Sequence, residues 1–284
     1  MFCVIIYIII NNIYYYRVLF AILIVSEEAM AEVKNGKINI RGVYFDNVTM
    51  DEALDKAVSL INTDGFSYMV TPNSEIVQAC IESPTLYDVV NGASLTIPDG
   101  IGVVYAANIL KTPLKERVPG VELAEKIIEY AANNGEKIYF FGGGKANEER
   151  DAVYKIAIEK LQEKYPGFEA VGRDGFFNAE ETDDIIADIN ASGAKILFVC
   201  LGAPKQEKWI YDNRKKLTGI TFAAGLGGSL DVFAGVAERA PEFYREHNLE
   251  WFYRLKKNPS RIGRMMKLPK FLFGTMIHKN KPVK

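Results

Sequence analysis

Five short stretches hold the residues whose types and spacing could do chemistry. The first is Leu95-Thr96-Ile97-Pro98-Asp99-Gly100-Ile101-Gly102, in which one carboxylate sits between a proline and two glycines. Pro98 cannot donate to a sheet ladder, so a strand should stop there. An acid at the carboxyl end of a strand in an open α/β sheet is placed to act as a general base. The same acid suits the cap of a helix following Gly100, and on that stretch alone the cap is the simpler reading. The other four stretches are Thr71-Pro72-Asn73, Gly142-Gly143-Gly144, Gly202-Ala203-Pro204-Lys205-Gln206-Glu207, and Gly225-Leu226-Gly227-Gly228 leading to Asp231.

Each stretch has a plainer alternative. Gly142 and Gly143 could cradle a phosphate through backbone N–H groups. Lys145-Ala146-Asn147 follows them, so neither the dinucleotide fingerprint nor the P-loop is complete. Gln206 and Glu207 fall in the first turn of a helix, where an acid is also ordinary helix-start chemistry. Arg117, in Glu116-Arg117-Val118-Pro119-Gly120, is a diphosphate ligand or a solvated loop charge. The chain has no Asp-x-Asp pair and no His/Cys metal spacing. Arginines and backbone amides are therefore expected to hold any diphosphate, without a metal or a cofactor.

The elements that would position these stretches alternate. Strands are predicted at Ile38–Phe45, Phe66–Val70, Leu95–Ile97, Lys137–Phe141, Phe168–Val171, Lys195–Leu201 and Ile220–Ala224. Thr49-Met50-Asp51-Glu52 reads as a capping box opening a helix to about Ile61, and Ser83-Pro84 reads as a second helix start. Further helices are expected from Ser74, Val121, Glu148, Asn178 and Gln206. The continuous apolar run Ile196–Leu201 suits a parallel strand buried on both faces. This alternation predicts an α/β fold, with a mainly parallel sheet and helices on both faces. In such a sheet all five stretches converge on one edge, so a cleft is expected there.

Charge divides the chain. The whole of it carries a net charge of -2, but residues 241–284 hold 11 Lys+Arg against 3 Asp+Glu, and residues 1–240 hold 23 against 33. A basic tail on an acidic body is expected to meet something anionic. The tail interleaves aromatics with cations from Trp251 through Arg254 and Arg261 to Arg264, as an amphipathic surface on an anionic bilayer would. A helical pair docked on the core is the alternative, and the acidic body argues against nucleic acid. Cys80 and Cys200 lie in apolar surroundings and are read as core thiols of a reducing compartment. Residues 1–29 form an apolar extension that fits a membrane anchor in length. It makes a poor signal peptide, and a translation start at Met30 is the favoured reading. The organisation expected is thus 1–29 extension, 30–240 core and 241–284 appendage.

Taken together and in order, these blocks resemble the WecG/TagA/CpsF glycosyltransferase family. The resemblance rests on Thr71-Pro72-Asn73, Pro98-Asp99-Gly100-x-Gly102, Arg117-Val118-x-Gly120, Gly202-x-Pro204-x-Gln206-Glu207-x-Trp209, Gly227-Gly228-x-x-Asp231 and Arg239-Ala240-Pro241, and covers about Ile38 to Arg264. It implies a Rossmann-like fold with a C-terminal helical appendage that helps complete the site at the membrane. It implies inverting transfer of an N-acetylmannosamine-type sugar from a UDP donor to polyprenyl-diphosphate-linked N-acetylglucosamine, the step that builds the wall teichoic acid linkage unit in Gram-positive members. By the same resemblance Asp99 is the base, Thr71 and Asn73 position the sugars, and Gln206 and Glu207 contact the donor. Arg117, Arg254, Arg261 and Arg264 would offset charge on the leaving diphosphate. The enzyme would be cytoplasmic and peripheral on the inner face of the membrane, with a homo-oligomer left open. Family members do not usually carry an N-terminal span, which favours the Met30 start. Two rival classes stand beside this reading: a nicotinamide-dependent oxidoreductase, weakened by the incomplete glycine fingerprint, and a non-catalytic membrane adaptor using the basic tail.

Overall fold

A computed structural model describes residues 33–34, 36–148, 150–247, 249–257, 263 and 267–278. The 1–29 extension and its three readings lie outside the described residues. The chain enters through a small antiparallel sheet of β1 (Val33–Lys34), β2 (Lys37–Ile40) and β3 (Val43–Asp46). One strand was expected at Ile38–Phe45, and a hairpin stands there instead. Arg41 (φ 56°) and Gly42 (φ 95°) both take left-handed backbone and reverse the chain, and the Asn39 side chain accepts from Gly42 N at 2.8 Å.

The main sheet has six parallel strands in the order β5-β4-β9-β8-β6-β7. They are β4 (Ser67–Val70), β5 (Leu95–Thr96), β6 (Ile138–Gly142), β7 (Ala170–Arg173), β8 (Ile196–Cys200) and β9 (Phe222–Gly225). β6 and β8 are buried at every position. Their side chains alternate between two apolar layers: Tyr139, Phe141, Leu197 and Val199 on one face, Ile138, Phe140, Ile196 and Phe198 on the other.

Helices cover both faces. The second-named layer is closed by α1 (Met50–Ile61), α5 (Gly120–Asn134), α6 (Val153–Lys164) and α9 (Ser229–Phe233). The first is closed by α2 (Ser74–Glu82), α3 (Pro84–Asn91), α4 (Ile101–Ile109), α7 (Thr182–Ala191) and α8 (Lys205–Asn213). The expected capping box is present: Thr49 Oγ1 accepts from Glu52 N at 3.2 Å and Glu52 Oε2 accepts from Thr49 N at 2.9 Å. α6 begins at Val153 rather than Glu148. Asn147 Oδ1 takes Arg150 N at 3.0 Å and Asn147 N donates to Arg150 O at 2.9 Å, which turns the chain before the helix can start.

The tail carries α10 (Glu242–Glu246), α11 (Glu250–Lys257) and α12 (Lys267–His278). α12 lies on α2 and α4. It buries Phe271 to 1 % exposure within the same apolar layer as β4 and β6. Lys267–Glu75 (3.5 Å) and Lys270–Glu82 (3.0 Å) pair along its flank, and the Arg41 guanidinium donates to Gly274 O. The sequence alternative of helices docked on the core therefore holds for α12.

Candidate active site

Because the strands run parallel, the five stretches singled out above all stand at the carboxyl edge, and they touch one another in the order of the strands. Between β5 and β4, Gly100 lies so close to Asn73 that a Cβ there would come within 2.9 Å of the Asn73 Cβ. Between β4 and β9, Thr71 Oγ1 donates to Gly225 O at 3.3 Å. Between β9 and β8, Gly227 N donates to Gln206 Oε1 at 2.8 Å. Between β8 and β6, a Cβ on Gly142 (φ 143°) would fall 2.4 Å from Cys200 O. That last glycine is needed for close strand-end packing, whatever it binds.

Asp99 is half-buried and does not cap the helix beside it. The N-cap of α4 is Gly100, with no side-chain bond. Asp99 Oδ1 instead accepts from Gly120 N at 3.2 Å, at the start of α5, whose own N-cap, Pro119, gives no side-chain bond. A carboxylate at a helix N-terminus faces the positive end of the dipole and is held in orientation. Thr71 lies against the same turn, since a Cβ on Gly120 would come within 3.0 Å of Thr71 Cγ2. Val118 N donates to Pro98 O at 3.0 Å and ties the Arg117 loop to the Asp99 loop. Asp99, Thr71 and the α5 N-terminus thus form one group. Gly120 stood in a quoted block, but sequence reasoning missed that its N–H holds the acid.

Asn73 accepts from Glu75 N (2.9 Å) and Ile76 N (3.1 Å) as the N-cap of α2, which fixes its side chain at the rim of the same group. Arg117 is mostly buried and pairs with Glu250, the first residue of α11, at 3.5 Å. Arg117 is therefore not a solvated loop charge: in this structure its charge is met by the tail. The signal available was one acid amid a basic run. Arg239, just ahead of the tail, reaches Glu122 in the first turn of α5, so the tail and the segment leading into it are fastened near the acid at two places.

On the other side of the edge, Gln206 (2 % exposed) and Glu207 (0 %) are buried. Gln206 Nε2 donates to Glu207 Oε1 at 2.8 Å, while Glu207 Oε2 has no hydrogen-bond partner among the described residues. Burial pushes the Glu207 carboxyl up from its ordinary value, and the Gln206 bond only partly opposes this. Asp231 is half-buried in the first turn of α9; burial raises its carboxyl and the charge of Arg150 lowers it. Arg150 also reaches Gly144, whose Cβ would stand 2.9 Å from Arg150 Nη2. Sequence reasoning passed over this cation, which links the triple glycine to Asp231. Gly143 and Gly144 do not open a helix: Gly144 O accepts from Val153 N at 3.0 Å, and the helix starts only there.

Arg254 lies on α11, and its side chain, with all of Arg261 and Arg264, is outside the described residues. Among the described residues no group of three or more His, Cys, Asp or Glu stands together as a metal site, and no helix is long and apolar enough to cross a membrane.

Comparison with known proteins decides between these chemistries. The model of the WecG/TagA/CpsF glycosyl transferase family matches residues 38–284. The chain belongs to that family. Its relatives include proteins of Staphylococcus aureus strains MW2 and NCTC 8325 / PS 47, each named N-acetylglucosaminyldiphosphoundecaprenol N-acetyl-beta-D-mannosaminyltransferase. Each is 34 % identical over 239 residues, which is 84 % of this chain and 91 % of the relative. The expected α/β architecture with its C-terminal helices and the glycosyltransferase assignment agree. The nicotinamide and adaptor readings lose their ground, because the incomplete glycine fingerprint belongs to a transferase family.

Proposed function

We propose that this protein transfers N-acetylmannosamine from its UDP donor to the 4-hydroxyl of N-acetylglucosamine on undecaprenyl diphosphate, in wall teichoic acid linkage-unit synthesis. The observation that carries the reading is the grouping of Asp99, Thr71 and the α5 N-terminus at the carboxyl edge of a sheet in this family. Asp99 takes the proton of the acceptor hydroxyl as that oxygen bonds to C1 of the donor sugar. The C1–O bond to the diphosphate breaks, UDP departs, and the anomeric centre inverts. A base already held by Gly120 N–H spends no freedom in reaching its place. Thr71 and Asn73 line the rim and orient the sugars. Gln206 faces the donor side from beneath Gly225 and Gly227. Arg117 answers the charge that develops on the leaving diphosphate, with Arg254, Arg261 and Arg264 of the tail adding to it.

The basic tail supports an enzyme peripheral on the inner face of the membrane, where the lipid acceptor lies. Each tail cation near an anionic leaflet adds about 1 kcal/mol of attraction. The test is a screen of UDP-sugars with a short-chain lipid-diphosphate-GlcNAc acceptor, read as UDP release. UDP-N-acetylmannosamine should be the active donor, and its failure beside activity with another UDP-sugar would overturn the donor assignment. Transfer should proceed in excess EDTA, because the chain has no Asp-x-Asp pair. A loss restored by Mg²⁺ would reverse that expectation.

A further inference from the structure

Glu207 has the position of a donor ligand in sequence and the surroundings of a core residue in space. With no exposed surface, it cannot touch a substrate in the cleft. Its contacts lead to the cleft through other groups. Glu207 Oε1 takes one N–H of Gln206 Nε2 at 2.8 Å, which fixes which end of that amide faces which neighbour. The other end, Oε1, is thereby turned to Gly227 N at 2.8 Å. Gln206 Nε2 also packs on Gly225, where a Cβ would stand 3.0 Å from it. Gly225 O is the acceptor of the Thr71 hydroxyl.

We infer that Glu207 is a positioning residue: its buried carboxyl sets the Gln206 amide, which holds the β9 loop and through it the hydroxyl of Thr71. The inference rests on the transferase reading for its kinetic arm. Burial favours the protonated carboxyl, which a glutamine side chain replaces with the same shape and one acceptor oxygen still on offer. Leucine keeps the volume and offers no acceptor. Aspartate keeps the carboxyl and withdraws it by one methylene.

The experiment compares Glu207→Gln, Glu207→Asp and Glu207→Leu in the full-length enzyme, with and without Gln206→Ala. Melting establishes that each is folded, and the aspartate variant serves if leucine does not fold. Expected are a kcat within about threefold of wild type for glutamine, and a loss of about tenfold or more for aspartate and leucine. In the Gln206→Ala background those losses should vanish, because the carboxyl acts through that amide. Hydrogen exchange at the segment containing Gly227 should quicken in the aspartate and leucine variants and stay slow in the glutamine variant. Losses that add in full to Gln206→Ala, or aspartate and leucine enzymes that turn over like wild type, would overturn the assignment. A wild-type enzyme without transfer would refute the transferase reading, and the exchange comparison would still decide the positioning role.

Discussion

The ends of β5 and β8 carry the same sequence signal and hold opposite environments. Each offers an acid beyond a strand end, in a stretch that contains a proline and opens a helix: Asp99 at the first, Glu207 at the second. Asp99 stays half-exposed and Glu207 is sealed. The sheet order supplies the reason. β5 is the edge strand of the main sheet and, among the described residues, pairs there with β4 alone, so within the sheet its loop is flanked on one side. β8 lies between β9 and β6, and the loops of both close over it. Position in the sheet, more than the residue or its local context, separates the two environments.

Four changes would break or sharpen that contrast. Asp99→Asn should lower kcat about a hundredfold or more while the protein still folds and binds donor, since asparagine still accepts from Gly120 N. Near-normal turnover would end the case for the edge acid. Arg117→Ala should raise the donor KM about tenfold, the effect of losing one charged contact to a diphosphate, with the melting temperature little changed. An unaltered KM would leave Arg117 as a partner of the tail only.

Glu207→Gln bears on the buried acid through pH. The folded carboxyl sits above its unfolded value of 4.5. Its contribution is therefore fully present below about pH 4.5 and is lost as pH rises through the folded value. The glutamine variant carries no such loss, so its melting temperature should gain on wild type from pH 4 to pH 8. A difference that is flat with pH would mean that Glu207 ionises as easily folded as unfolded. The smallest effect is expected at Glu250→Gln. Freeing Arg117 from its 3.5 Å partner should lower the donor KM about two- to threefold, in keeping with a pair worth at most about 1 kcal/mol. A raised KM would indicate that Glu250 helps to aim the arginine.

Much of this was legible in the sequence, and the limits have physical causes. Local signals were read well: the Thr49 capping box, the apolar β8 and the five loops at one edge all depend on neighbours a few residues away. The hairpin at Arg41-Gly42 was missed because arginine rarely takes left-handed backbone, although the apolar alternation shifts phase there, from Ile38 and Ile40 to Val43 and Phe45. The start of α6 was misread because an Asn147 side chain competes with helix hydrogen bonds. Within the site, the residue types pointed to Asp99, Thr71 and Gln206. The holding of Asp99 by Gly120 joins residues 21 positions apart, the pairing of Arg117 with Glu250 joins residues 133 apart, and the sealing of Glu207 follows from strand order, so none of the three shows in local spacing.

The bond from Arg41 to Gly274 spans 233 positions of sequence. A ribosome adding roughly 5–20 residues per second needs on the order of 10 to 50 seconds to travel that distance. Throughout that interval the carbonyl that Arg41 bonds in the folded protein has not yet been made. The faces of α2 and α4 that Phe271 will cover stay open to chaperones and proteases. A chain stopped before α12 lacks Phe271 and leaves the apolar layer over α2 and α4 unclosed, a surface of the kind that chaperones and proteases engage.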